Sequence, residues 1–122
     1  MGKILVADDQ LGVRRLLVET FREDQHEVET AGNGEEALRL FIDFKPDLIL
    51  LDIKMPVMNG IEALRKIRVL DSRVAVIMMT AYGDIQNMET AKDLGIFLYM
   101  AKPFDLFELK EHVSKIFQRI PS

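Results

Sequence analysis

Residues 48–51 read Leu-Ile-Leu-Leu and run directly into a carboxylate, Asp52, followed by Ile53, Lys54, Met55, Pro56 and the turn pair Asn59-Gly60. A short unbroken apolar run bounded by a polar residue and turn formers predicts a strand buried on both faces. Strands of that kind belong to parallel sheets covered by helices on each side. In open sheets of this type the chemistry gathers just beyond the carboxyl ends of the strands. Asp52 is therefore expected where a buried scaffold delivers a charge to a crevice.

The remainder of the chain repeats the alternation. Residues 3–7 (KILVA) predict a first strand, ending at Asp8-Asp9. Over 12–23, Val13, Leu16, Leu17 and Phe21 recur at helical spacing. Residues 27–31 (EVETA) alternate and predict an edge strand. Asn33 with Glu36 matches an N-capping pattern, Ala37, Leu38, Phe41 and Ile42 form the stripe of the helix it opens, and Pro46 stops that helix. The third strand is expected over 47–51. Asn59 with Glu62 caps a helix carrying Ile61, Leu64, Ile67 and Leu70; residues 75–80 predict a fourth strand. A helix with few apolar residues is expected over 83–93 and should be the loosest element. Residues 97–101 predict a fifth strand. Asp105 with Glu108 caps a last helix with Leu106, Leu109, Val113, Ile116, Phe117 and Ile120, ended by Pro121. Five strands alternating with five helices imply an α/β fold: one flavodoxin-like (βα)5, doubly wound parallel sheet in the order 2-1-3-4-5. Residues 1–122 are expected to form one domain, with nothing left over for an output domain.

Composition narrows the function. A net charge of -4 disfavours bulk electrostatic binding to nucleic acid or anionic membrane, so neither is expected as a partner. The absence of cysteine excludes disulfides, thiol catalysis and thiolate metal sites. No apolar run approaches the roughly 20 residues of a membrane span, and no signal-peptide pattern precedes Asp8. A soluble cytoplasmic domain is the expectation.

The strand ends then define a candidate site. Strand 1 ends in Asp8-Asp9, strand 3 in Asp52, strand 4 in Thr80 and strand 5 in Lys102-Pro103. Strands 1 and 3 are neighbours in the expected order, so three carboxylates converge. Like charges at short range favour protonation of one or more of them. A hard divalent cation relieves this, and Mg²⁺ prefers one or two carboxylates, waters and a phosphate. A carboxylate is also a nucleophile that forms aspartyl phosphates. Asp52, entering from the middle strand, is the expected nucleophile. Asp8 and Asp9 are the expected metal ligands, with a backbone carbonyl just after Asp52, that of Lys54. Lys102 and the Thr80 hydroxyl are placed to meet phosphoryl oxygens. Each residue alone has an ordinary explanation as a turn former, cap, strand residue or solvated side chain. One site at a single sheet edge accounts for all of them together.

The combination of Asp8-Asp9, the Asp52-Ile-Lys-Met-Pro56 stretch, Thr80-Ala81 and Lys102-Pro103 resembles the receiver domain of two-component response regulators over nearly the whole chain. That resemblance implies Asp52 as phospho-acceptor with Mg²⁺ held by Asp8, Asp9, Asp52 and the Lys54 carbonyl. It further implies Thr80 and Lys102 on the phosphoryl group, a cis Lys102-Pro103 bond, and Thr80 and Tyr99 as switch residues, Tyr99 being an aromatic whose rotamer follows phosphorylation. The stretches VADDQ-L-GVRRLL, MTAYGDI and AKPFDL are similar to the stand-alone phosphorelay members of the family in sporulating bacilli, which carry His where Tyr99 stands. From these the resemblance implies a Mg²⁺-dependent phosphotransferase. It would take a phosphoryl group from a sensor histidine kinase and pass it to a four-helix histidine phosphotransferase, and an aspartyl-phosphate phosphatase is a further implied partner. Gln10, Gly12, Val13, Leu16, Pro103 and Phe104 are the implied partner contacts, and the protein is expected to be a monomer. The alternative is a binding switch that alters affinity for a target without onward transfer.

Adjacent helical positions diverge by about 100°, so Val13, Leu16 and Leu17 cannot all face one sheet, which leaves either an apolar face partly exposed near Asp52 or a wide core stripe. A decoy is Gly32-Asn33-Gly34 with Ala37, which fits a dinucleotide fingerprint; Glu35 and Glu36 stand where a pyrophosphate would bind. His26 and His112 read as surface residues away from the site.

Overall fold

In the computed structural model, which describes residues 2–81 and 85–120, the strand and helix alternation follows the apolar pattern closely. The described residues form β1 (Lys3–Ala7), α1 (Leu11–Glu23), β2 (Glu27–Ala31), α2 (Gly34–Phe44), β3 (Leu48–Asp52), α3 (Gly60–Leu70), β4 (Ala75–Ala81), α4 (Ile85–Asp93), β5 (Leu98–Lys102) and α5 (Leu106–Arg119). All strand pairs are parallel, in the order β2-β1-β3-β4-β5. This is the flavodoxin-like, doubly wound sheet that the alternation implied.

Side chains of a strand alternate between the two faces of its sheet. Ile4, Val6, Leu48, Leu50, Ile77 and Met79 meet Leu17 and Phe21 of α1 and Leu109, Val113 and Ile116 of α5. Leu5, Ala7, Ile49, Leu51, Val76 and Met78 meet α2, α3 and α4 through Ala37, Phe41, Leu64, Ile67 and Ala91. Leu48 to Leu51 are all fully buried, as a strand covered on both faces requires. Ala91 is the one fully buried side chain described in α4, in keeping with that helix's sparse apolar pattern.

The three capping patterns form as expected. The Asn33 Oδ1 accepts from the Glu36 N–H at 2.8 Å, Asn59 Oδ1 from Glu62 at 2.9 Å and Asp105 Oδ1 from Glu108 at 3.2 Å. α2 ends at Phe44, and Lys45 turns the chain with φ 54° just before Pro46.

Three strands run one residue further than expected: β3 includes Asp52, β4 includes Ala81 and β5 includes Lys102, while β3 and β5 also begin one residue later, at Leu48 and Leu98. Asp52 is in register with Met79, and Lys102 with Ala81. Backbone pairing does not require an apolar side chain, so the ladder continues under these polar residues. The charged groups are consequently carried by rigid strand rather than by loop. Gly83, where the fourth helix was expected to begin, and Pro121 lie outside the described residues.

The β3–α3 connection is tightly folded. Gly60 N–H donates to the Ile53 carbonyl at 2.8 Å, and a Cβ on Gly60 would lie 2.1 Å from the Asp52 carbonyl oxygen, so no larger residue fits without moving the backbone. Gly34 N–H donates to the Met58 carbonyl at 2.8 Å, tying the same loop to α2. Between them Val57 adopts φ 69°, a left-handed conformation unfavourable for a β-branched residue, with its side chain 77% exposed. The Val57→Gly variant should therefore be more stable by roughly 0.5–1 kcal/mol, the relief of left-handed strain net of glycine's greater unfolded entropy. Urea unfolding measures this; a loss of stability would contradict the strained assignment.

Candidate functional site

Strand alternation puts Asp8, at the end of β1, and Asp52 and Lys102, at the ends of β3 and β5, on the α1–α5 face of the sheet. Thr80 and Tyr99 fall on the opposite face. Asp8 and Thr80 are fully buried, and Asp52 is 4% exposed. Asp9 is exposed. Carboxylate oxygens of Asp8, Asp9 and Asp52 lie within 4.8 Å of one another. The Asp8-Asp9 pair and Asp52, remote from it in the chain, thus meet as the strand order required.

Lys102 crosses the sheet edge to reach them. Its Nζ donates to Asp8 Oδ2 at 2.6 Å, to Asp52 Oδ2 at 3.1 Å and to Gln10 Oε1 at 3.4 Å. Burial raises the Asp52 carboxyl above the ordinary carboxylate range; Lys102 opposes that shift, and Asp8 and Asp9 add to it. Burial works against the Lys102 ammonium, but its bonds and charge contacts with Asp8 and Asp52 outweigh this and raise it. One ammonium therefore faces three carboxylates in a poorly solvated crevice. The Thr80 Oγ1, on the same edge, is buried and has no hydrogen-bond partner among the described residues. An unpaired buried hydroxyl costs about 1–3 kcal/mol, which makes it a donor awaiting an acceptor.

Asp8 is held at every polar atom. Its N–H donates to the Ala31 carbonyl at 3.0 Å, its Oδ1 accepts from Gln10 N–H at 2.8 Å, and its carbonyl accepts from Arg14 Nη1 at 2.7 Å. Gln10, expected only as a partner contact, also belongs to the site. Arg14 was not anticipated; its sequence neighbour Arg15 is exposed, and nothing in the helical pattern separates the two. Gly34 and Gly60 read as turn residues, while their close backbone approaches emerge only in three dimensions.

The remaining expected residues are placed as follows. Lys54 follows Asp52 closely in the loop, with an exposed side chain. Tyr99 is half-buried against the α2–α3–α4 core. Lys102-Pro103 is a cis peptide. On α1, Leu17 is fully buried, Val13 is half-buried and Leu16 is 44% exposed, so the helix does present apolar surface. Gly12 is exposed with open space around it, Pro103 is exposed, and Phe104 is half-buried against the α1–α5 core. Leu11, 51% exposed beside them in sequence, extends that surface.

His26 departs from expectation. It is half-buried, accepts from the Gly2 N–H through Nδ1 at 3.0 Å and packs against Phe117 at 4.5 Å between ring centroids. Burial lowers its pKa. Its place beside Gly2 puts it at the opposite end of the sheet from the acids. His112, on α5, is half-buried and lies 3.8 Å from Glu108.

A parallel (βα)5 sheet with an acid cluster, a lysine and a buried hydroxyl at its carboxyl edge defines a class of phosphoryl-accepting domain. Residues 4–114 match the family model of the response regulator receiver domain, and the chain belongs to that family. It is 44% identical over 113 residues to Sporulation initiation phosphotransferase F of Bacillus subtilis (strain 168), covering 93% of this chain and 91% of the relative. It is 43% identical to Regulatory protein AtoC of Escherichia coli (strain K12) over 97% of this chain but only 26% of that protein. Response regulator protein TrrA of Thermotoga maritima, in a crystal structure with Mg(2+)-BeF, superposes with a TM-score of 0.84 at 39% identity, covering 95% of this chain and 99% of that one. No helix among the described residues is long and apolar enough to cross a membrane.

A raised carboxyl pKa has a defined consequence for stability. The folded state holds the Asp52 proton more tightly than the unfolded chain, so that contribution is present below the unfolded pKa and is lost as pH rises through the folded value. At neutral pH the ionised group is a net burden. Asp52→Asn should therefore raise Tm in metal-free buffer at pH 7, with Lys102 still paired to Asp8. The gain should shrink as pH falls toward about 4, the ordinary carboxylate range. A variant less stable than the parent at pH 7 would contradict the assigned burden.

Proposed function

We propose that this receiver domain takes a phosphoryl group from the phosphohistidine of a sensor kinase onto Asp52 and passes it to a second histidine on a four-helix phosphotransferase. The observation that carries this reading is the Lys102 ammonium lying between Asp8 and Asp52 at 2.6 and 3.1 Å, with the Thr80 hydroxyl, unpartnered among the described residues, at the same edge of the sheet. A carboxylate oxygen of Asp52 attacks phosphorus in line, the P–N bond breaks, and its electron pair returns to the imidazole. The new P–O bond is an acyl phosphate. Such transfer requires positioning and compensation of charge on the equatorial oxygens more than proton chemistry. Lys102 and Thr80 would each contact one of those oxygens.

The donor set fits Mg²⁺: hard carboxylate oxygens from Asp8, Asp9 and Asp52 within 4.8 Å, with the Lys54 carbonyl as the further ligand. When bound, the ion would offset negative charge on the acids and the phosphoryl group. In that state Asp8 and Asp9 orient the site from β1, while burial around Asp52 limits water's access to the acyl phosphate. Tyr99, the register partner of Met78 and on the same face of the sheet as Thr80, would serve as the switch aromatic.

Gln10, Gly12, Val13, Leu16, Pro103 and Phe104 form the proposed partner surface: Val13, Leu16, Pro103 and Phe104 carry exposed or half-exposed apolar groups, and Gln10 bonds Asp8 and Lys102 of the site. A stand-alone role in a sporulation phosphorelay draws support from the similarity to Sporulation initiation phosphotransferase F along 91% of that protein.

Two measurements test the reading. Acetyl phosphate with Mg²⁺ should label the parent and leave Asp52→Asn unlabelled; labelling of the variant at the parental level would move the nucleophile elsewhere. Label on the phosphorylated parent should then pass to a four-helix histidine phosphotransferase. Label lost only to water would remove the relay while leaving the receiver chemistry intact.

A further inference from the structure

Among the contacts that shape the acid cluster, one comes from a residue with no assigned part in phosphoryl transfer. Arg14 Nη1 donates to the carbonyl oxygen of Asp8 at 2.7 Å. That carbonyl lies beyond the end of the β1–β3 pairing, which stops at Ala7 and Leu51, so no strand partner takes it. It belongs to the peptide plane that joins Asp8 to Asp9. A rotation of this plane would swing Asp9 relative to Asp8, which is anchored by Ala31, Gln10 and Lys102. Arg14 is itself fixed. Its N–H donates to the Gln10 carbonyl at 3.1 Å within the first turn of α1, and its guanidinium lies against Gly32, where a Cβ would stand 3.4 Å from Nη1.

We propose that Arg14 is a positioning residue that fixes the Asp8–Asp9 peptide plane and thereby the spacing of the two acids for a divalent cation. The inference rests on the reading of Asp8, Asp9 and Asp52 as the Mg²⁺ site. It assigns Arg14 an effect opposite to that of its charge. A cation close to the acids repels Mg²⁺, so deleting the charge alone would tighten binding. Losing the hold on the peptide plane weakens it. Lysine retains the charge and most of the stem but offers a flexible point donor in place of the planar fork.

Calorimetric titration of the whole chain with Mg²⁺ separates these effects. The proteins are the parent, Asp9→Asn, Arg14→Lys and Arg14→Met, with Arg14→Lys as the variant least disturbing to the fold and thermal melts to establish that each is folded. Both Arg14 variants should bind Mg²⁺ about tenfold more weakly, the usual scale for loss of a group that orients a metal ligand. At saturating Mg²⁺ the rate of Asp52 labelling by acetyl phosphate should return close to the parental rate, because the defect lies in assembling the acids. Parental affinity in both variants, or tighter binding by Arg14→Met, would overturn the proposal while the metal reading stands. A parent that binds no Mg²⁺, or binds it equally well as Asp9→Asn, would defeat the metal reading and this inference with it.

Discussion

Everything at the carboxyl edge follows from holding Asp8 and Asp52 out of water beside each other. Burial and mutual repulsion both work against two adjacent carboxylates, and Asp9 adds a third charge at the rim. The fold makes this arrangement possible by supplying the acids from neighbouring strands of a fully covered sheet, where the backbone cannot relax to separate them. Lys102 arrives from the far edge, two strands away from β3, and its ammonium is the compensation that the chain itself provides. Such a site is poised to take up positive charge and then negative charge together, which is the need of phosphoryl transfer.

The period of two along each strand divides the work between the faces of the sheet. Asp52, Lys102 and Asp8 lie toward α1 and α5, and α1 carries the exposed or half-exposed Leu11, Val13 and Leu16. Thr80 and Tyr99 lie toward α3 and α4. On the proposed reading, a phosphoryl group on Asp52 would engage Lys102 from one layer and Thr80 from the other. Docking on α1 and a structural response on the α4 side would then be served by separate surfaces of one small domain.

Much of this was legible in the residues. The unbroken apolar run 48–51 and the three capping pairs at Asn33, Asn59 and Asp105 specify elements locally, and the structure forms them. The convergence of Asp8, Asp9 and Asp52 followed from strand order, and Lys102 was expected at the same sheet edge. What escaped the sequence depends on contacts between distant backbones. Asp52 and Lys102 lie within strands because ladder pairing ignores side-chain polarity. Gly60 and Gly34 are set by carbonyls of the β3–α3 loop, and Val57 takes a conformation its side chain disfavours. Arg14 and Arg15 look alike in the chain, yet the Asp8 carbonyl selects only one. His26 is drawn inward by Phe117 and the Gly2 N–H, partners 91 and 24 positions away that no local pattern reveals.

The central claim is that Asp52 is esterified in a cation-dependent manner. Its most direct measurement is borohydride reduction of the acetyl phosphate-treated protein, followed by peptide mapping for the homoserine that an aspartyl phosphate yields. The account predicts homoserine at position 52 in the presence of Mg²⁺ and none when EDTA replaces the metal. Homoserine at another aspartate, or the same yield at position 52 in EDTA, would contradict it.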